Sequence, residues 1–139
     1  MFDPNIKVLI TDDAALSRAS AEKQLRELGV TKLTQSINGE EAFKALEEAV
    51  AAKDPYQLVI IDWMMPVLDG VGLIKKIKAS TWDVQPKLIM VTAESDVGQV
   101  AQAVKLGINA YVRKPLVFEE FKKAVERAMA APAKGGSKA

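Results

Sequence analysis

The chain has 139 residues, 49% of them apolar and 27% charged, with a formal net charge of +1. That is enough chain to bury one ordinary core, and the charge gives no broad electrostatic case for a nucleic-acid or acidic-membrane partner. The absence of both cysteine and histidine excludes disulfides, Ser-His and Cys-His nucleophilic chemistry, and every Cys- or His-ligated metal site. Carboxylates, hydroxyls, lysine, arginine and the backbone are left to carry any chemistry.

The N-terminus, MFDPNIK, lacks the basic-then-apolar layout of a signal peptide. No apolar stretch approaches the ~20 residues needed to span a bilayer. A cytoplasmic location is the expectation. In chain order, strands are expected at Lys7–Thr11, Lys32–Ile37, Leu58–Asp62, Lys87–Thr92 and Ala110–Val112. The short apolar runs without alternation suit strands covered on both faces. Helical stripes fall between and after them. The first is Ala21, Leu25 and Leu28, with Gly29 as a C-terminal stop. The others are Ala42, Leu46, Ala49 and Val50; Leu73, Ile74 and Ile77; Val97, Val100, Ala101 and Val104; and Phe121, Val125, Ala128 and Met129. Five successive βα units predict one α/β domain, a parallel sheet with helices on both faces. It is expected over residues 1–131, and 132–139, small and Gly/Ser-rich, reads as a flexible tail or linker remnant.

In such sheets ligands bind beyond the carboxyl ends of the strands. The run Leu58–Ile61 ends on a bare carboxylate, Asp62. Asp12 and Asp13 follow strand 1, Thr92 ends strand 4, and Lys114 follows strand 5. All five side chains are therefore expected on one edge. An Asp before a helix is commonly an N-cap, and a strand-end threonine or a Lys-Pro turn has an equally plain structural reading. Together they suggest more. Crowded carboxylates repel unless a cation neutralises them. Oxygen-only ligands select a hard ion such as magnesium. A lysine and a hydroxyl beside it suit a phosphoryl group, and a carboxylate is a known phosphoryl acceptor. The segment Gly70-Val71-Gly72 lacks the third glycine of a dinucleotide loop and does not follow a strand, so it reads as a turn into helix 3.

The motifs TDD at Thr11–Asp13, DWMMPVLDG at Asp62–Gly70, VTAE at Val91–Glu94 and AYVRKP at Ala110–Pro115 resemble the receiver domains of bacterial response regulators. The resemblance runs from about Ile6 to Met129 and is closest to the single-domain chemotaxis regulators. It implies a doubly wound (βα)5 flavodoxin-like fold with strand order 2-1-3-4-5. It also implies a phosphorylation-dependent switch of a two-component system, not an enzyme with its own substrate. Asp62 is then the phosphoacceptor. Asp13, Asp62 and the backbone carbonyl of Met64 ligate magnesium, with Asp12 acting directly or through water. Lys114 contacts the phosphoryl group, and its bond to Pro115 is cis. Thr92 and Tyr111 are the switch residues, and Trp63, Met64, Ala93 and Glu94 flank the site.

The partners implied are a histidine kinase, a downstream target such as a flagellar motor switch component, and a phosphatase. The protein acts as a monomer, with no nucleic acid and no membrane. Ala14-Ala15-Leu16, Met64 and Leu116 depart from the chemotaxis pattern, which leaves the specific target open. A fragment of a longer regulator and a phosphate-sink receiver are the alternatives. A magnesium-dependent aspartyl phosphatase would carry a second aspartate two residues beyond the first on strand 1, which is absent. A flavin binder would need a hydroxyl- and Gly-rich loop after strand 1.

Overall fold

A computed structural model describes residues 3–93 and 97–130, with the side chains of Val97 and Gln99 outside the description. Five βα units follow one another: β1 (Lys7–Thr11), α1 (Ala15–Glu27), β2 (Lys32–Ser36), α2 (Gly39–Ala51), β3 (Leu58–Asp62), α3 (Gly70–Ala79), β4 (Lys87–Thr92), α4 (Val97–Leu106), β5 (Ala110–Arg113) and α5 (Phe118–Ala130). The strands pair in parallel in the order β2-β1-β3-β4-β5. This is the expected doubly wound, flavodoxin-like arrangement. The expected tail, and Glu94 among the site residues, lie outside the described residues.

The central strands are buried on both faces because helices cover both. Val8, Ile10, Leu58, Ile60, Ile89 and Val91 pack with Leu25, Phe121 and Val125 on one side of the sheet. On the other side, Leu9, Val59, Ile61 and Leu88 pack with Leu46, Leu73 and Ile77. Alternate residues of one strand therefore serve opposite layers, as a period of two requires. The edge strands differ. In β2 (KLTQS) only Ser36 is fully buried, so the expectation of a strand covered on both faces fails there. The strand ends at Ser36, leaving Ile37 outside it and 47% exposed. In β5, Ala110 and Val112 face inward while Tyr111 and Arg113 are exposed.

Local chemistry sets the helix ends. Val30 N–H donates to the Leu25 carbonyl and Gly29 N–H to that of Arg26, with Gly29 at φ +97°. This paired closure needs a left-handed residue, which glycine supplies. Asn38 and Asp69 cap α2 and α3 by accepting from Glu41 N and Gly72 N, each at 2.8 Å. The turn expected at 70–72 is thus already the first turn of α3.

One helix face is corrected. Of the stripe expected on α4, Ala101 and Val104 are exposed, and Val100 is half-buried. Ala103 is the fully buried residue, packed with Trp63 and Met90. Apolar residues lie all round this helix, so their spacing alone does not choose the inward side. Trp63, reaching beneath the helix from the end of β3, makes the choice. Among the described residues no helix is long and apolar enough to cross a membrane.

Candidate functional site: an acidic cluster at the carboxyl edge of the sheet

The parallel sheet delivers the ends of β1, β3, β4 and β5 to one edge. Asp12 continues the β1 ladder by one residue, its N–H donating to the Ser36 carbonyl at 3.1 Å. The chain then turns. Asp12 Oδ1 accepts from Ala14 N–H at 2.8 Å, an Asx-type turn that leads into α1. Asp12 is buried and Asp13 exposed. Asp62 is the last residue of β3 and is 6% exposed. The backbone beyond it is fixed closely, with Trp63 N–H donating to the Val91 carbonyl and Gly70 N–H to the Trp63 carbonyl, both at 3.0 Å.

One carboxylate oxygen from each of Asp12, Asp13 and Asp62 can be chosen so that all three lie within 4.8 Å of one another. Lys114 enters from β5. Its Nζ sits 2.9 Å from Asp12 Oδ2 and 3.2 Å from Asp62 Oδ1. Its backbone N–H donates to the Thr92 carbonyl at 2.8 Å, and the Lys114–Pro115 peptide is cis. Thr92 is buried at the end of β4. Ala93 is exposed beside it, and the Met64 side chain is 70% exposed.

The electrostatics follow from this crowding. Burial, and then the neighbouring Asp12 charge, raise the Asp62 carboxyl from 3.8 to about 6, against the opposing pull of Lys114. Burial pushes Lys114 down, but the hydrogen bond to Asp12 and the Asp62 charge outweigh it, and its ammonium is held above its ordinary value. Three carboxylates against one ammonium leave a formal deficit of two positive charges. The residues present therefore fit a divalent, oxygen-preferring cation such as magnesium.

The structure brings together Asp12, Asp13, Asp62 and Lys114, with Thr92 tied to Lys114 through the backbone. It leaves Tyr111 apart, exposed on the outer face of β5. Beside the cluster a cleft of about 380 Å³ runs between α1 and the β5–α5 connection, lined largely by apolar or small side chains such as Leu16, Ser17, Ala21, Val91, Pro115 and Leu116. Sequence reasoning did not single out Arg18. Its guanidinium donates through Nη1 to the Asp12 carbonyl and through Nε to Gln35 Oε1, both at 2.8 Å. The only signal in the sequence was an arginine one turn beyond the acidic pair.

The response regulator receiver domain family matches residues 8–126. The chain is a response regulator receiver domain. Such domains are signalling modules of two-component systems, where they interact with histidine kinases and downstream targets. The receiver is 35% identical over 121 residues to a probable chemotaxis protein CheY of Rhizobium etli, covering 87% of this chain and 90% of that one. Its fold matches that of the chemotaxis response regulator CheY4 of Vibrio cholerae at a TM-score of 0.76 and 23% identity, covering 89% of this chain and 98% of that one. It also matches the receiver domain of a sensor histidine kinase from Pseudomonas aeruginosa, solved with a magnesium ion coordinated in its active site cleft, at a TM-score of 0.75 and 24% identity, covering 91% of this chain and 99% of that one.

Proposed function

We propose that this receiver is a phosphorylation-dependent switch in chemotaxis-type signalling, with Asp62 as the phosphoacceptor. The carrying observation is the cluster itself: three carboxylates converge at the carboxyl edge, with Lys114 bridging Asp12 and Asp62. Asp62 attacks phosphorus. The bond from phosphorus to the donor histidine nitrogen breaks as the bond to the aspartate oxygen forms. Lys114 then exchanges a carboxylate partner for a phosphoryl oxygen, a charge-assisted contact of the same kind. Asp12, Asp13, Asp62 and the Met64 carbonyl would hold magnesium, which supplies charge neutralisation for the transferring group.

Thr92 donates its hydroxyl to the phosphoryl group, and Tyr111 turns inward from its exposed position. The face made by α4, β5 and α5 then changes for a partner. Ala103 of α4 is fully buried and takes no part in that face. Ala101 and Val104 of α4 and Tyr111 of β5 are exposed and offer apolar surface, and Lys122 and Lys123 supply charge. The partners on this reading are a histidine kinase, a target such as a flagellar motor switch component, and a phosphatase. The protein works in the cytoplasm as a monomer, without nucleic acid or membrane.

Phosphotransfer from a histidine kinase, or from acetyl phosphate, tests the reading. Wild type should take up one acid-labile phosphoryl group and Asp62→Asn none. Uptake by Asp62→Asn at a specific site under the same conditions refutes the assignment.

A further inference from the structure

Asp13 differs from the other two carboxylates in what holds it. Asp12 has both oxygens engaged, by Ala14 N–H and by Lys114. Asp62 is held by Lys114. Among the described residues no side-chain hydrogen bond or ion pair holds the Asp13 carboxylate, and it is exposed. Its position therefore depends on its backbone, and first on the Asp12–Asp13 peptide. The Asx-type turn from Ala14 N–H to Asp12 Oδ1 spans that peptide, but Ala14, at the N-cap, has no side chain to cap with, so the peptide's carbonyl needs a donor from elsewhere.

Arg18 fills this role. Its side chain runs back toward the helix N-terminus, the direction in which helical side chains lean. There Nη1 donates to the Asp12 carbonyl at 2.8 Å, which belongs to the Asp12–Asp13 peptide. The guanidinium is braced from the other side, since Nε donates to Gln35 Oε1 at 2.8 Å. Gln35 Nε2 in turn donates to Glu22 Oε1 at 2.6 Å, and Glu22 Oε2 accepts from Arg26 at 3.0 Å. Gln35 cannot flip its amide without facing donor to donor against Arg18. The peptide that carries Asp13 is thereby tied to both α1 and β2 through one planar fork, which an ammonium could not imitate.

We infer that Arg18, braced by Gln35, is a positioning residue for Asp13 in the divalent-cation site. This rests on the reading of the cluster as a magnesium site. Its consequence has a sign that separates it from simple electrostatics. Removing a positive charge beside a cation site should strengthen cation binding by Coulomb's law. Losing the tether should weaken it.

The experiment is a magnesium titration followed by Trp63 fluorescence in a Trp82→Phe background, repeated with manganese by electron paramagnetic resonance of the free ion. Arg18→Ala should bind both ions more weakly, by several-fold up to about tenfold, the low end of what partners behind a metal ligand contribute. Arg18→Lys keeps the charge and should also bind more weakly. Gln35→Ala removes the brace without changing any charge, on an exposed edge-strand position, and should give a smaller loss of the same sign. Urea unfolding in EDTA should leave the Gln35→Ala midpoint near wild type. Unchanged or tighter binding in Arg18→Ala, or no loss in Gln35→Ala, overturns the inference. Failure of wild type itself to bind either ion would instead overturn the magnesium reading.

Discussion

Replacing Asp62 by asparagine should stabilise the metal-free protein, and the gain should depend on pH in a defined window. The folded-state carboxyl is raised from 3.8 to about 6 by burial and by the Asp12 charge. Below pH 4 it is protonated whether the chain is folded or not. Between pH 4 and 6 the unfolded chain gives up this proton and the folded chain keeps it, so unfolding becomes easier as pH rises. Above pH 6 the penalty is complete. A rise of about 2, at 1.36 kcal/mol each, amounts to about 3 kcal/mol. Asparagine carries no such penalty.

The gap between Asp62→Asn and wild type should therefore widen by about 3 kcal/mol from pH 4 to pH 7 in EDTA, on the same linkage arithmetic. Urea denaturation at intervals of pH measures it. Because the comparison is of slopes with pH, any constant difference between an acid and an amide at this position drops out. Saturating magnesium should narrow the gap at pH 7, since a ligand of the folded state stabilises whichever protein binds it better. A gap that changes by less than about 1 kcal/mol across the window, near the error of linear extrapolation, would refute the account of Asp62.

Lys114→Ala should destabilise the metal-free protein at pH 7 by about 1–3 kcal/mol, below the figure for a fully buried pair because Lys114 is partly exposed; the same raised ammonium keeps its contribution until pH rises past 10.5, and Arg113→Ala, measured alongside by urea melts and by signalling output, should cost far less. Gly70→Ala would place a Cβ 2.8 Å from the Asp62 carbonyl oxygen and 3.1 Å from Trp63 Cα, both backbone atoms that cannot step aside, so urea melts should show a loss of about 1–3 kcal/mol. Thr92→Ala should still accept a phosphoryl group yet bind its target more weakly, as should Tyr111→Ala, with the phosphorylation-dependent part of the affinity, about 1–3 kcal/mol in such couplings, shrinking toward zero in a direct binding assay.

The fold was legible where burial is two-sided. Val8 to Ile10, Leu58 to Ile61 and Leu88 to Val91 read as covered strands, and nearly every one of these side chains is within a few per cent of complete burial. Where burial is one-sided or absent the pattern blurred. β2 ends one residue early because Ile37, apolar in sequence, points out at the edge of the sheet. In α4 the sequence VGQVAQAVKL offers apolar residues in more than one stripe, and the rotation is decided by Trp63 and Met90, which lie elsewhere in the chain. The acidic cluster was legible for a topological reason: once the strands are parallel, their carboxyl ends must share an edge. Arg18, Gln35 and Glu22 were not, because their network depends on side-chain reach between α1 and β2, which spacing does not encode.

The same topology bears on how a change at Asp62 would reach the outer surface. Lys114 is bound at both ends of its length: its ammonium lies against Asp12 and Asp62, and its backbone N–H is held by the Thr92 carbonyl. Thr92 and Arg113 are register partners in the β4–β5 pairing, and Met90 and Tyr111 are partners two residues earlier. The cation, the hydroxyl and the exposed tyrosine therefore sit on one hydrogen-bonded pair of strand ends. A phosphoryl group that draws Lys114 and the Thr92 hydroxyl toward Asp62 acts on both strands at once, and β5, an edge strand with its outer flank unpaired, is the one free to yield. Tyr111 is exposed on that strand, and Ala101 and Val104 are exposed on α4. On this reading the switch needs no long pathway: the groups that would sense the phosphoryl group and the surface that would report it are separated by the width of two paired strands.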